Sequence, residues 1–165
     1  VFNDGNTEAS AFVESKAKSD YWMFGVNRDG WRLFDRQVRA SFVDLFLHEY
    51  AHLLLLEDDD FTDGFASRFW TEDDRDHAQA LRDEKRRFRL LESYYEDNEE
   101  RFVSDYATMS VDEDIAETFV QFVIRTKPGG SSVLDQKIRY FYESPELIAE
   151  RTRLRQNLRG VGVSL

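Results

Sequence analysis

The residues best suited to chemistry lie in one short stretch, His48-Glu49-Tyr50-Ala51-His52. Two histidines four apart on a helix share a face and stand one turn apart. Their ring nitrogens can reach a single ion at about 2.0–2.1 Å, the usual distance from zinc to an imidazole nitrogen. Glu49 directly follows the first histidine. Its carboxylate therefore stands beside the ion but off the ligand stripe, where it can polarise a bound water. The pattern is short and needs a third ligand. The competing reading is a pair of core histidines satisfied by carbonyls, with Glu49 in a salt bridge.

A helix must carry these groups. Positions 42 to 56 are apolar except at Asp44, His48, Glu49 and His52, a pattern that predicts a helix buried all round. Asp44, His48 and His52 fall on one i, i+4, i+8 stripe. Asp44 either orients His48 from behind or stabilises the N-terminal half of the helix. The third ligand is sought downstream. His77 is the one remaining histidine, in the polar run Asp73-Asp74-Arg75-Asp76-His77, which reads as a solvated helix start. Tyr106 to Glu117 is more promising. Ser110 with Glu113 has the spacing of a capping box, and the helix that follows is expected to end near Arg125, before Lys127-Pro128-Gly129-Gly130. Glu113 and Glu117 share a stripe that is otherwise apolar, with Ala116, Val120 and Ile124. Carboxylates so placed need a cation or a donor. A metal for Glu113 and a ligand histidine for Glu117 would supply both. Alternatively, Glu113 only caps its own helix, and Tyr106 is a core or turn aromatic.

Taken together, the two segments resemble the gluzincin-type zinc metallopeptidases. The likeness is closest to the zinc-binding metallopeptidases found among bacterial surface lipoproteins, and extends to the catalytic domain of anthrax lethal factor. Those proteins combine H-E-x-x-H with a tyrosine seven residues before a glutamate ligand, in a segment ending E-D-F-A-E. Here Tyr106 precedes Glu113 by seven, and Glu113-Asp114-Ile115-Ala116-Glu117 matches with Ile115 in the aromatic position. The resemblance covers roughly residues 38 to 158. It implies ligation of Zn2+ by His48, His52 and Glu113, with Glu49 as general base. It further implies Tyr106 as oxyanion stabiliser, Glu117 as acceptor for a histidine N–H, and a place outside a bacterial cell or on its surface. The class it implies is α+β, a mainly helical zincin-like domain with a small N-terminal sheet.

Composition narrows the partners. A chain of 165 residues with 14 phenylalanines and 3 tryptophans is read as one domain, 1–165, with a sizeable core. A formal net charge of −11 argues against nucleic acid or an anionic membrane surface. Cysteine is absent, which removes disulfides and thiol nucleophiles. No apolar run is long enough to span a bilayer, and no signal peptide is visible. A start at Val1 without an initiator methionine suggests a trimmed chain or a mature fragment.

The remaining segments are expected to frame the site. Tyr21-Trp22-Met23-Phe24-Gly25-Val26 and Trp31-Arg32-Leu33-Phe34, around Asn27-Arg28-Asp29-Gly30, predict a hairpin. It is either a substrate-binding edge or an aromatic-rich core sheet. Glu57 to Gly64 reads as a solvated acidic turn, because its ligand spacing does not suit calcium. Thr71 with Asp74 predicts a capping box and a long charged helix to about residue 97. Ser144-Pro145 opens a last helix that ends near Gly160. The sum is an enzyme hydrolysing peptide or protein substrates with a zinc-activated water. Two rivals remain: a non-proteolytic zinc-containing surface module binding a glycan or protein, and a metal-free helical interaction domain.

Overall fold

The computed structural model describes residues 11–15, 22–26, 36–55, 58–81 and 87–163. Among them, seven α-helices follow in order: α1 (Arg36–Leu55), α2 (Asp59–Phe69), α3 (Glu72–Ala80), α4 (Arg87–Asn98), α5 (Val111–Ile124), α6 (Val133–Tyr140) and α7 (Pro145–Gly160). The α+β class is therefore corrected to a mainly helical one, with no layer-forming sheet among the described residues. The extended segments among the described residues are β1 (Ala11–Ser15) and β2 (Trp22–Val26), which pair antiparallel with Ala11 opposite Val26 and Ser15 opposite Trp22. A lone ribbon of two five-residue strands cannot form a layer. The expected partner strand of the hairpin, Trp31-Arg32-Leu33-Phe34, lies outside the described residues. Strand β2 pairs with β1, and residues 1–10, 16–21 and 27–35 lie outside the described residues.

Helix α5 lies at the centre, packed by α1, α2, α6 and α7. Its own N-terminus is set by Ser110, whose hydroxyl accepts the Glu113 N–H and removes one of the orphan donors of the first turn. Ile115, Phe119, Phe122 and Val123 are buried along it, against Phe65, Phe69 and Phe141 from neighbouring elements. Phenylalanine rings meet edge-on or tilted, for example Phe119 to Phe141 at 5.9 Å and Phe65 to Phe69 at 5.0 Å, geometries that add to plain burial.

Helix α1 differs from expectation. It buries Val43, Leu47, Ala51 and Leu55, spaced strictly four apart, with His48 beside them, while Asp44, Phe46 and Leu54 are exposed. It is amphipathic, lying over α5 rather than enclosed. The acidic run at 58–60 is not a loop. Asp58 caps α2 by accepting the Phe61 N–H, and Asp59 and Asp60 occupy its first turn, where the helix dipole favours acids. Gly64 lets α2 approach α6, since a Cβ there would collide with the Tyr140 hydroxyl. Thr71 and Asp74 form the reciprocal capping box, but α3 stops at Ala80 and α4 is a separate helix; residues 82–86 between them lie outside the described residues. Helix α7 begins at Pro145 under the Ser144 cap. Its end is a Schellman turn in which Gly162, at φ 81°, lets Val163 N–H reach the Leu158 carbonyl. No helix among the described residues is long and apolar enough to cross a membrane.

Candidate metal centre

Three side chains from two helices converge. His48 and His52 come from α1, and Glu113 comes from the first turn of α5. His48 Nε2 lies 3.1 Å from Glu113 Oε2 and 3.2 Å from His52 Nε2, and His52 Nε2 lies 3.3 Å from the same carboxylate oxygen. A tetrahedral ion with ligands at about 2.0–2.1 Å has ligand–ligand edges of about 3.3 Å, so the triangle has the size such an ion requires. His48 is buried, and the other two are half-buried.

The protons decide what can fill the triangle. His48 Nδ1 stands 2.8 Å from Glu117 Oε1, so the ring is held with its proton on Nδ1 and a lone pair on Nε2. Glu113 Oε2 is buried and receives no hydrogen bond, although it is within ion-pair distance of both rings. With His48 neutral the close approach is of lone pair to lone pair, and a buried oxygen of this kind needs a cation or a proton beside it. The capping box at Ser110 is also only half made. The serine bonds the Glu113 N–H, while the Glu113 carboxylate turns to the histidines. His48, His52 and Glu113 could hold a metal ion.

Without a metal, a proton takes that place. Burial works against charge on His48, but Glu113 and Glu117 outweigh it and push its pKa up to about 9. Burial raises Glu113, but the two histidines outweigh it and hold it down to about 2. A metal must displace that proton.

Comparison with protein-family models, curated proteins and solved structures finds no match to this chain. The reading of the centre therefore rests on its own geometry.

Glu49 is half-buried beside the triangle. Burial pushes its pKa above the ordinary carboxylate range, and the facing His48 and His52 offset part of that. Tyr106 belongs to a 3-10 turn, Tyr106–Thr108, capped by Asp105, whose carboxylate accepts the Tyr106 N–H. Its hydroxyl donates a long bond of 3.4 Å to Glu113 Oε1, and its ring centroid is 5.7 Å from that of His48. Tyr106 is 44% exposed, but partial burial, then the Glu113, Glu49 and Glu117 carboxylates, push its pKa up to about 12. Asp44 is exposed and makes no hydrogen bond to His48 among the described residues; the Nδ1 it would have oriented is taken by Glu117.

His77 is not a solvated residue and does not join the centre. It is buried, with Nε2 3.2 Å from Thr108 Oγ1 and its ring stacked on Tyr94 at 3.9 Å. Behind it, Asp74 accepts bonds from Thr71, from the Tyr94 hydroxyl at 2.7 Å and from Arg101 at 2.6 Å. This network ties α3 and α4 to the turn that carries Tyr106. The sequence reading also missed Ser104. Its hydroxyl donates to Glu117 Oε2 at 2.8 Å and accepts the Ala107 N–H at 3.2 Å. The available signal was a serine three residues ahead of a turn amide, the same offset as Ser110 to Glu113 but without an acid to draw notice.

One residue past Glu113, Asp114 is wholly buried. It binds Lys137 of α6 at 2.6 Å and Trp70 Nε1 at 2.8 Å, and the ammonium sits 3.9 Å from the Phe102 ring centroid. Burial raises Asp114 and lowers Lys137, and each charge relieves the other.

Proposed function

We propose that this chain is a zinc-dependent metallopeptidase, with Zn2+ held by His48, His52 and Glu113. The observation that carries the reading is the buried, donorless Glu113 oxygen facing two imidazole nitrogens at metal-binding spacing. Two nitrogens and a carboxylate suit zinc and leave a fourth position open, the arrangement of catalytic rather than structural sites. The resemblance in the His48–His52 and Tyr106–Glu117 segments supports the same reading, and brings with it a place on or outside a bacterial cell.

When bound, zinc supplies Lewis acidity, lowering the pKa of water toward about 7 and polarising a carbonyl. The chain's own groups do the rest. Glu49, its basicity raised by burial, takes the proton of the attacking water and delivers it to the leaving amine. Tyr106 remains a protonated phenol at neutral pH, because its pKa stands at about 12. It donates to the negative charge developing on the peptide oxygen. Glu117 holds the His48 ring through Nδ1, so that Nε2 keeps its lone pair for the metal.

The test is metal analysis of untagged protein purified without chelator, followed by cleavage of a diverse peptide library with and without chelator. Glu49→Gln is expected to keep zinc and lose at least about a hundredfold in turnover. Turnover at the wild-type rate would refute the base assignment. Zinc-loaded protein that cleaves no peptide would favour the non-proteolytic binding module.

A further inference from the structure

We propose that the Ser104 hydroxyl is a positioning group that fixes His48 and Tyr106 together, so that the metal ligand and the phenol are set by a single atom. The inference rests on the metallopeptidase reading and deepens it. Three elements meet at this hydroxyl. It donates to Glu117 Oε2 at 2.8 Å, and the other oxygen of the same carboxylate faces His48 Nδ1 at 2.8 Å. It accepts the N–H of Ala107, the residue after Tyr106, at 3.2 Å. A hydroxyl has one proton to give and lone pairs to receive, so both bonds coexist.

Each bond removes a different freedom. The terminal torsion of a glutamate is broad and weakly held. Glu117 is half-buried, and with only one oxygen engaged its carboxylate could turn and carry the His48 ring with it. Ser104 engages the second oxygen. On the other side, the Tyr106–Thr108 turn holds its amides through Asp105, to Tyr106 N at 2.8 Å and Thr108 N at 3.0 Å. Those bonds shape the turn internally. The Ala107 bond to Ser104 links the turn to the group that orients His48, and the two rings stand 5.7 Å apart. Residues behind a metal ligand commonly control affinity or activity about 10–100-fold.

Zinc affinity is measured by competition with a chromophoric chelator for wild type, Ser104→Ala and Ser104→Thr, with the melting temperature of each metal-free form. Ser104→Ala is expected to weaken zinc binding about tenfold, and Ser104→Thr, which restores a hydroxyl, to recover most of it. Peptide turnover at saturating zinc is then compared in the Tyr106 and Tyr106→Phe backgrounds. The Ser104→Ala loss is expected to shrink once the phenol is gone, because the two act as a unit. A Ser104→Ala protein that melts lower but binds zinc within about twofold of wild type would overturn the inference, and so would equal turnover losses in both backgrounds. If Ser104→Ala does not fold, Ser104→Cys replaces it. A thiol is a weaker partner of similar shape, and the same loss, smaller, is expected; affinity unchanged from wild type would overturn the inference. Should wild type take no zinc, the function reading fails and the inference with it. Should wild type take zinc and Ser104→Ala hold it equally well, the inference alone fails. Should wild type bind zinc yet cleave nothing, the affinity comparison alone decides.

Discussion

Replacing Asp74 with asparagine tests how the scaffold behind the Tyr106 turn is held. Asp74 is 1% exposed and accepts bonds from Thr71 N at 2.6 Å, Tyr94 Oη at 2.7 Å and Arg101 at 2.6 and 2.9 Å. Burial alone would raise its pKa, but Arg101, Thr71 and Tyr94 outweigh it and hold the carboxyl at about 2, against 3.8 in a free side chain. That depression corresponds to about 2 kcal/mol. Because the folded value lies below the unfolded one, the contribution is present above pH 3.8 and is lost as pH falls through 2. Asp74→Asn also leaves Arg101 in a half-buried site without its counter-charge. Breaking a buried pair from one side costs about 3–5 kcal/mol in all, so a loss of that size is expected at pH 7. Urea unfolding of both proteins from pH 7 to pH 2 checks it. The gap between wild type and Asp74→Asn should narrow by about 2 kcal/mol between pH 4 and pH 2, as the wild-type carboxyl takes its proton. A gap that stays constant across that range would refute the assignment of the low pKa to Asp74.

Other outcomes follow from the same contacts. Tyr106→Phe is expected to lower kcat about a hundredfold while leaving zinc affinity within about twofold, because the phenol aids charge development and is not a ligand; steady-state kinetics and chelator competition check both. Glu113→Ala should abolish zinc binding and, with it, the stabilisation that zinc confers, about 2.7 kcal/mol at a hundredfold excess over Kd, read as equal melting temperatures with and without zinc. Lys137→Met should cost about 3–5 kcal/mol by stranding the Asp114 carboxylate, measured by urea unfolding at pH 7.

Capping chemistry was the most legible layer of the fold. Ser110, Thr71 and Ser144 each sit at the start of the helix that their side chains predict, because a cap is a local bargain between neighbours in sequence. What depends on distant partners was not legible. His77 lies among acids and reads as solvated, yet Tyr94 and Thr108 close over it. The apolar run of α1 suggested full burial, but Phe46 and Leu54 are exposed, since periodicity reports preference and not which neighbours exist. The acids at 58–60 looked like a loop because charge density masks a helix start whose dipole welcomes it. For the centre itself, types and spacing named His48 and His52 and left Glu113 between ligand and helix cap, the resemblance implied it as the third ligand, and the structure brings these three together. Ser104 escaped notice because a lone serine carries no pattern; only its two bonds reveal it.

The Lys137–Asp114 pair has a consequence for the neighbouring carboxylate, Glu113. Successive residues on a helix point about 100° apart, so Glu113 looks toward α1 while Asp114 is pinned to α6 and to Trp70. A rod fastened at one bearing cannot spin on its axis. The buried ammonium thereby helps to key the roll of α5, and the Glu113 carboxylate that faces His48 and His52 takes part of its aim from a lysine on another helix.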